Sequence, residues 1–153
     1  MMSILAYADT SVYGGMFDRE FADASKAFFD LVRADRFALL VSDVLRQEIS
    51  RAPRQVRRHF ERFLGYTTLV PFDRRVLALR DAYVAAGIVG AQWADDAGHV
   101  AAATVGHAEL IVSWNFRHIV HFDKIRLYNA VNALRGYGAI EIRSPAEVID
   151  YED

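Results

Sequence analysis

The chain of 153 residues contains no cysteine. Disulfides, thiolate nucleophiles and Cys-ligated zinc are therefore excluded, and with them the small secreted scaffolds that depend on cross-links. No apolar run approaches the length of a bilayer span, and the N-terminus MMSILAYADTS lacks a basic region followed by a sustained apolar core and a cleavage site. A soluble cytoplasmic protein without membrane contact is the expectation. Net charge is also small, at -2. Any contact with nucleic acid must then rest on a local basic patch and not on a global field. Lysine is nearly missing, with Lys26 and Lys124 alone, so arginine dominates the basic set.

What remains is 53% apolar and 12% aromatic, enough for one domain with a substantial core and too little for two ordinary ones. We read a single domain over 1–153. Apolar runs at 3–8, 37–42, 67–72 and 109–114 read as buried strands, and 139–144 alternates as an edge strand does. Amphipathic spacing predicts helices at 21–34, 43–51, about 53–64 from Pro53, 73–86, 94–105 and 123–135, with a short turn after Ser144 and Pro145. Gly136 and Gly138 mark the end of the penultimate helix. Strand and helix alternate, which predicts a mainly parallel sheet with helices on both faces and right-handed crossovers.

Three acids fall where such a fold gathers ligands, at the C-terminal ends of strands or the first turns of the helices that follow. Asp9 closes the first strand and is followed by Thr10 and Ser11, ahead of a Gly14-Gly15 turn. The cluster suits a metal and its water, or equally an N-cap. Glu48 lies on a helix whose buried side is Val44, Leu45 and Ile49, and its alternative is an ordinary exposed glutamate. Asp95 and Asp96 open an alanine-rich helix on which neighbours diverge by about 100°. The inward stripe Ala97, Val100, Ala101, Thr104 and Ala108 favours Asp96 for the cleft and points Asp95 nearly opposite, as a charge on the helix dipole. His99 is either a supporting partner of Asp96 or a structural histidine. After the strand ending at Ser113, Asn115 offers a fourth, neutral oxygen. Oxygen donors of this kind suit Mg2+ or Mn2+ and metal-assisted phosphodiester chemistry. A serine at position 11 argues against an aspartyl-phosphate enzyme, and His118-x-x-His121 reads as packing and surface, not zinc.

Five arginines, Arg51, Arg54, Arg57, Arg58 and Arg62, crowd RAPRQVRRHFER at 51–62. They form either a solvated helix face or a phosphate-contacting one, for which the planar guanidinium is well shaped.

Together these segments resemble the PIN-domain family, in particular VapC-type toxins of toxin-antitoxin systems. The likeness lies in YADTSVYGG, VSDVLRQEI, ADDAGHVAAAT and IVSWNFRHI, with IRLYNAVNALRGYGAIEIRSPAEVI similar to one PIN subgroup. The resemblance implies an endoribonuclease that holds Mg2+ or Mn2+ with Asp9, Glu48 and Asp96, and with Asn115 at a position where many members carry aspartate. Thr10, Ser11, Ser113 and His99 would support these ligands, and Arg51, Arg54, Arg58 and Arg62 would hold RNA. It also implies a homodimer and a cognate antitoxin protein. The alternatives are a different metal phosphoesterase and a non-catalytic RNA- or protein-binding module that keeps the fold.

Overall fold

In a computed structural model, residues 3–149 are described. The ends of the expected domain, 1–2 and 150–153, lie outside that range, as does the start of the N-terminal segment. Five parallel strands run β1 (Ile4–Ala8), β2 (Phe37–Ser42), β3 (Thr67–Val70), β4 (Leu110–Val112) and β5 (Glu141–Arg143). Their order in the sheet is β3-β2-β1-β4-β5. The chain first winds outward from β1 to β3, then returns to place β4 against the other side of β1. The point of reversal therefore lies between β1 and β4, where Ala8 pairs with Val112. That is the position at which open α/β sheets bind ligands, beyond the carboxyl ends of the strands.

The central strands are buried on both faces, so their side chains read as continuous apolar runs; Ala6, Tyr7 and Ala8 are all fully enclosed. β3 and β5 are the edges and expose alternate or successive residues, which is why β5 alternates in sequence.

The helices are α1 (Thr10–Gly15), α2 (Ala22–Arg33), α3 (Asp43–Ser50), α4 (Arg54–Arg62), α5 (Arg74–Ala85), α6 (Ala94–Val105), α7 (Phe122–Leu134) and α8 (Pro145–Val148). α1 packs on α2 and α4, while α5 packs on α6 and α7. The boundaries expected from spacing hold to within a residue or two, with one exception. Gly14 and Gly15, read above as a turn, form the end of α1. Asp9 caps that helix through the Ser11 amide. Gly15 has no side chain because Ser25 Oγ and Trp114 Nε1 stand 2.6 and 2.9 Å from where its Cβ would be. Short 3-10 turns at Leu64–Tyr66 and Ala91–Trp93 were also not expected.

α6 departs from its expected single inward stripe, because residues Ala97 to Val105 are buried around the whole circumference. A helix apolar on every side belongs in the interior. Only its first turn, carrying Asp95 and Asp96, reaches solvent. α7 ends as Gly136 predicted: Gly136 has φ +82°, and the Gly136 and Tyr137 amides return to the Ala133 and Asn132 carbonyls. No helix among the described residues is long and apolar enough to cross a membrane.

Candidate active site

Asp9 leaves β1 at the reversal point and is 4% exposed. Ser11 donates to its Oδ1 from both the backbone amide (3.1 Å) and the hydroxyl (2.5 Å), and the Ser113 hydroxyl donates to Oδ2 at 2.6 Å. The same two hydroxyl oxygens accept from the amides of Trp114 (2.8 Å) and Asn115 (2.9 Å). Ser11 in the first turn of α1 and Ser113 just after β4 thus fix Asp9 across the switch point, and only Oδ2 keeps a lone pair free.

Glu48 reaches the same region from α3, whose start is capped by Ser42 at the end of β2. Its Oε1 accepts from the Thr10 hydroxyl and from His99 Nε2 at 2.8 Å. His99 therefore supports Glu48, and not Asp96 as its place in sequence suggested. The other ring nitrogen, Nδ1, lies 2.7 Å from Tyr7 Oη, which in turn lies 2.7 Å from Ser42 Oγ.

Asp96 stands half-buried at the mouth of a cleft of about 430 Å3, with Glu48 and Asp95 on the same wall. Asp95 is exposed, yet it lines this cleft too, so the expectation that it points away is corrected. The first turn of a helix rooted in the core presents both neighbours to the opening. Asn115 lies close enough to Asp96 to pull its carboxyl down, and its Oδ1 accepts from the His118 amide at 2.9 Å, capping the turn that follows β4.

The charges are coupled. Burial raises the Asp9 carboxyl above the usual carboxylate range against the pull of His99, Ser11 and Ser113, and the charge on Glu48 adds to the rise. Burial raises Asp96 as well, opposed by His99, His118 and Asn115, with Glu48 again adding. For Glu48, burial acts upward but is outweighed by the His99 hydrogen bond and charge, by Thr10 and by Arg51, so its carboxyl falls below the ordinary value. Burial pushes His99 down, yet Glu48, Asp9 and Asp96 hold it above a free histidine.

Among the described residues no three His, Asp or Glu side chains form a ready-made cation cluster. The donor chemistry nevertheless fits a hard cation. Asp9 Oδ2 has a free lone pair, Glu48 Oε2 has no hydrogen-bond partner among the described residues, and Asp96 faces the cleft. Burial chiefly raises Asp9 and Asp96 and Glu48 adds to it, and an added positive charge would oppose both effects.

The expected RNA-contacting arginines divide. Arg54, Arg58 and Arg62 follow one another at four-residue spacing along α4 and line a second cavity of about 440 Å3 with Phe17, Pro53 and Gln55. Arg51 ends α3, close enough to act on Glu48. Arg57 is occupied in bonding the Ala52 carbonyl at 2.7 Å. Gln92 and Trp93 also line the cleft, as do Arg117 and His118, none of which the sequence reading placed there. The His118-x-x-His121 pair is split: His118 is buried and His121 is exposed at the start of α7. The only signal of Arg117 and His118 in the sequence was nearness to Asn115.

With the geometry in place, known structures offer a comparison. A chain of VapBC2 from Rickettsia felis, solved bound to a DNA fragment from its promoter, matches with a TM-score of 0.57 at 11% identity, over 92% of this chain and 98% of that one. A chain of FitAcB from Neisseria gonorrhoeae matches with a TM-score of 0.55 at 16% identity, over 94% and 99%. The fold is PIN-like. At such identities the likeness is one of fold alone. No family model and no curated protein matches the sequence.

Proposed function

We propose that this protein is a Mg2+- or Mn2+-dependent endoribonuclease that hydrolyses RNA phosphodiester bonds, and that it is the toxin of a toxin-antitoxin pair. The observation that carries the reading is that Asp9, at the sheet's switch point, and Asp96, in the cleft, both feel the charge of Glu48. Both carboxyls are raised by burial and by that charge. A buried set of like charges is costly without a cation, which makes it a candidate for function.

Asp9, Glu48 and Asp96 would hold the ion. A bound Mg2+ or Mn2+ supplies Lewis-acid polarisation of the phosphoryl group and a lowered pKa for the attacking water. The chain's own work is positioning. Ser11 and Ser113 hold both oxygens of Asp9, Thr10 and His99 hold one oxygen of Glu48, and Asn115 steadies Asp96. The arginine face of α4 would contact RNA phosphates without reading bases. Likeness of fold to VapBC2 and FitAcB over nearly the full chain supports the toxin reading. A cognate antitoxin, a homodimer and a cytoplasmic location belong to the same proposal.

The absence of a ready-made cation cluster among the described residues favours one rival, a PIN-like module that binds RNA or protein without cutting. Cleavage decides between them. Purified protein is expected to cut RNA in Mg2+ or Mn2+ and not in EDTA, and Asp9→Asn to lose at least about a hundredfold of that rate, on the scale of removing one transition-state contact. Full cleavage by Asp9→Asn, with contaminating nuclease excluded, would defeat the assignment.

A further inference from the structure

Trp93, Arg117 and His118 line the same cleft as Glu48, Asp95 and Asp96. Trp93 ends the 3-10 turn before α6 and is 38% exposed. Its ring lies 4.9 Å from that of His118 at an interplanar angle of 31°, and the Arg117 guanidinium sits 5.2 Å from its centroid. Arg117 is exposed and has no carboxylate partner among the described residues.

His118 is 7% exposed. Its Nδ1 lies 3.3 Å from the Lys124 ammonium, a group that only donates, so Nδ1 accepts and the proton resides on Nε2. That N–H is buried with no hydrogen-bond partner among the described residues. That nitrogen is closed to solvent, so His118 supports the tryptophan and does not itself meet a ligand. The set is therefore an aromatic ring packed on His118, beside an exposed guanidinium that has no carboxylate partner among the described residues.

We propose that Trp93 and Arg117, packed on His118, form a nucleotide subsite that takes one unpaired RNA nucleotide, with its base on Trp93 and its phosphate on Arg117. The proposal rests on the ribonuclease reading for its choice of ligand, but not for its test. A base offers a π-face to tryptophan, and stacking of this kind requires a nucleotide that is not already paired. A phosphate supplies the acceptors that the Arg117 guanidinium lacks. Charge favours that contact, because Glu48, Asp95 and Asp96 in the same cleft repel phosphate. The volume of about 430 Å3 is that of a small-ligand pocket and admits one nucleotide, not a duplex. Trp93 precedes Asp96 by three residues and lines the same cleft, so a base stacked there sits near the acids while its phosphate lies on Arg117.

Equilibrium binding in EDTA tests this without cleavage, using a labelled single-stranded oligoribonucleotide and the blunt duplex of the same sequence. The wild type is expected to prefer the single strand by roughly tenfold or more, and Trp93→Ala to lose roughly tenfold in single-strand affinity while Trp93→Phe keeps most of it. Arg117→Gln is expected to weaken binding and reduce the salt slope by about one phosphate. Equal binding of strand and duplex, or no single-strand binding by the wild type, overturns the subsite. So does wild-type affinity in Trp93→Ala. Should Trp93→Ala fail to fold, Arg117→Gln decides, and an unchanged affinity and salt slope overturns the proposal. The two readings separate cleanly. Loss of binding in Trp93→Ala with no cleavage by the wild type keeps the subsite and removes the nuclease, and the reverse result does the opposite.

Discussion

His99 lies between two oxygens, Tyr7 Oη on Nδ1 and Glu48 Oε1 on Nε2. Its neutral form fits with Nε2 donating to the carboxylate and Nδ1 accepting from the tyrosine hydroxyl. Protonation keeps the Glu48 bond and reverses the Tyr7 one. Burial alone would depress this histidine, and the acids, Glu48 first among them, reverse the sign. A group with a raised folded pKa stabilises fully below its unfolded value, about 6.5 for histidine, and loses that contribution as pH rises through the folded value. Glu48→Gln removes the largest upward influence. We expect the His99 titration, followed by NMR of the imidazole, to move downward in that variant, and the part of stability lost above about pH 6.5 to shrink with it. An unchanged titration would show that Asp9 and Asp96, not Glu48, govern the ring.

At the scale of elements, α4 carries the clearest prediction. Arg54, Arg58 and Arg62 share one face along a cavity and have no carboxylate partners among the described residues. Replacing Arg54 and Arg58 together with glutamine is expected to weaken RNA binding uniformly across sequences and to reduce the salt slope by about two, as two phosphate contacts would. Unchanged binding and slope would leave the face to solvent or to a protein partner. This face was visible in sequence because helical spacing projects it directly. The same logic made most elements legible: apolar runs marked β1 to β4, alternation marked the β5 edge, and three- and four-residue spacing marked α2 to α7. α1 was not legible, since Gly14 and Gly15 carry a local turn signal, and the need for glycine at 15 comes from the close approach of Ser25 and Trp114 from other segments. The places of Asp9 after β1, Glu48 on α3 and Asp96 in the first turn of α6 followed from topology. The partner of His99, the orientation of Asp95 and the Trp93–His118 wall did not, because each depends on packing between segments distant in the chain.

The whole molecule sets acids against one another at the one place where a doubly wound sheet leaves its strand ends open. Asp9 and Asp96 have raised folded pKa values, so without a cation their contribution is most favourable below about pH 4 and is lost as pH rises through those values. Glu48 has the opposite sign: it stabilises above its unfolded value and loses this as pH falls through its lowered folded value. Near neutral pH the metal-free protein therefore carries the penalty of Asp9 and Asp96, which an ion bound only by the folded state offsets. At about a hundredfold excess over Kd that linkage is worth roughly 2.7 kcal/mol, or on the order of five to ten degrees in Tm at this chain length. Wild type is expected to show a rise of that size with Mn2+ at pH 7, falling away toward pH 4 as protons compete for the carboxylates. Asp96→Asn should melt no lower than wild type in EDTA, having lost one repelling charge, and gain little from Mn2+. Asp95→Asn, at the exposed rim of the same cleft, should keep most of the response. If Asp95→Asn abolishes the rise while Asp96→Asn retains it, the ion is held by the rim and not by the half-buried acid. If wild type shows no rise under saturating Mn2+, the three carboxylates do not form a cation site, and the non-cutting module becomes the better account of the fold.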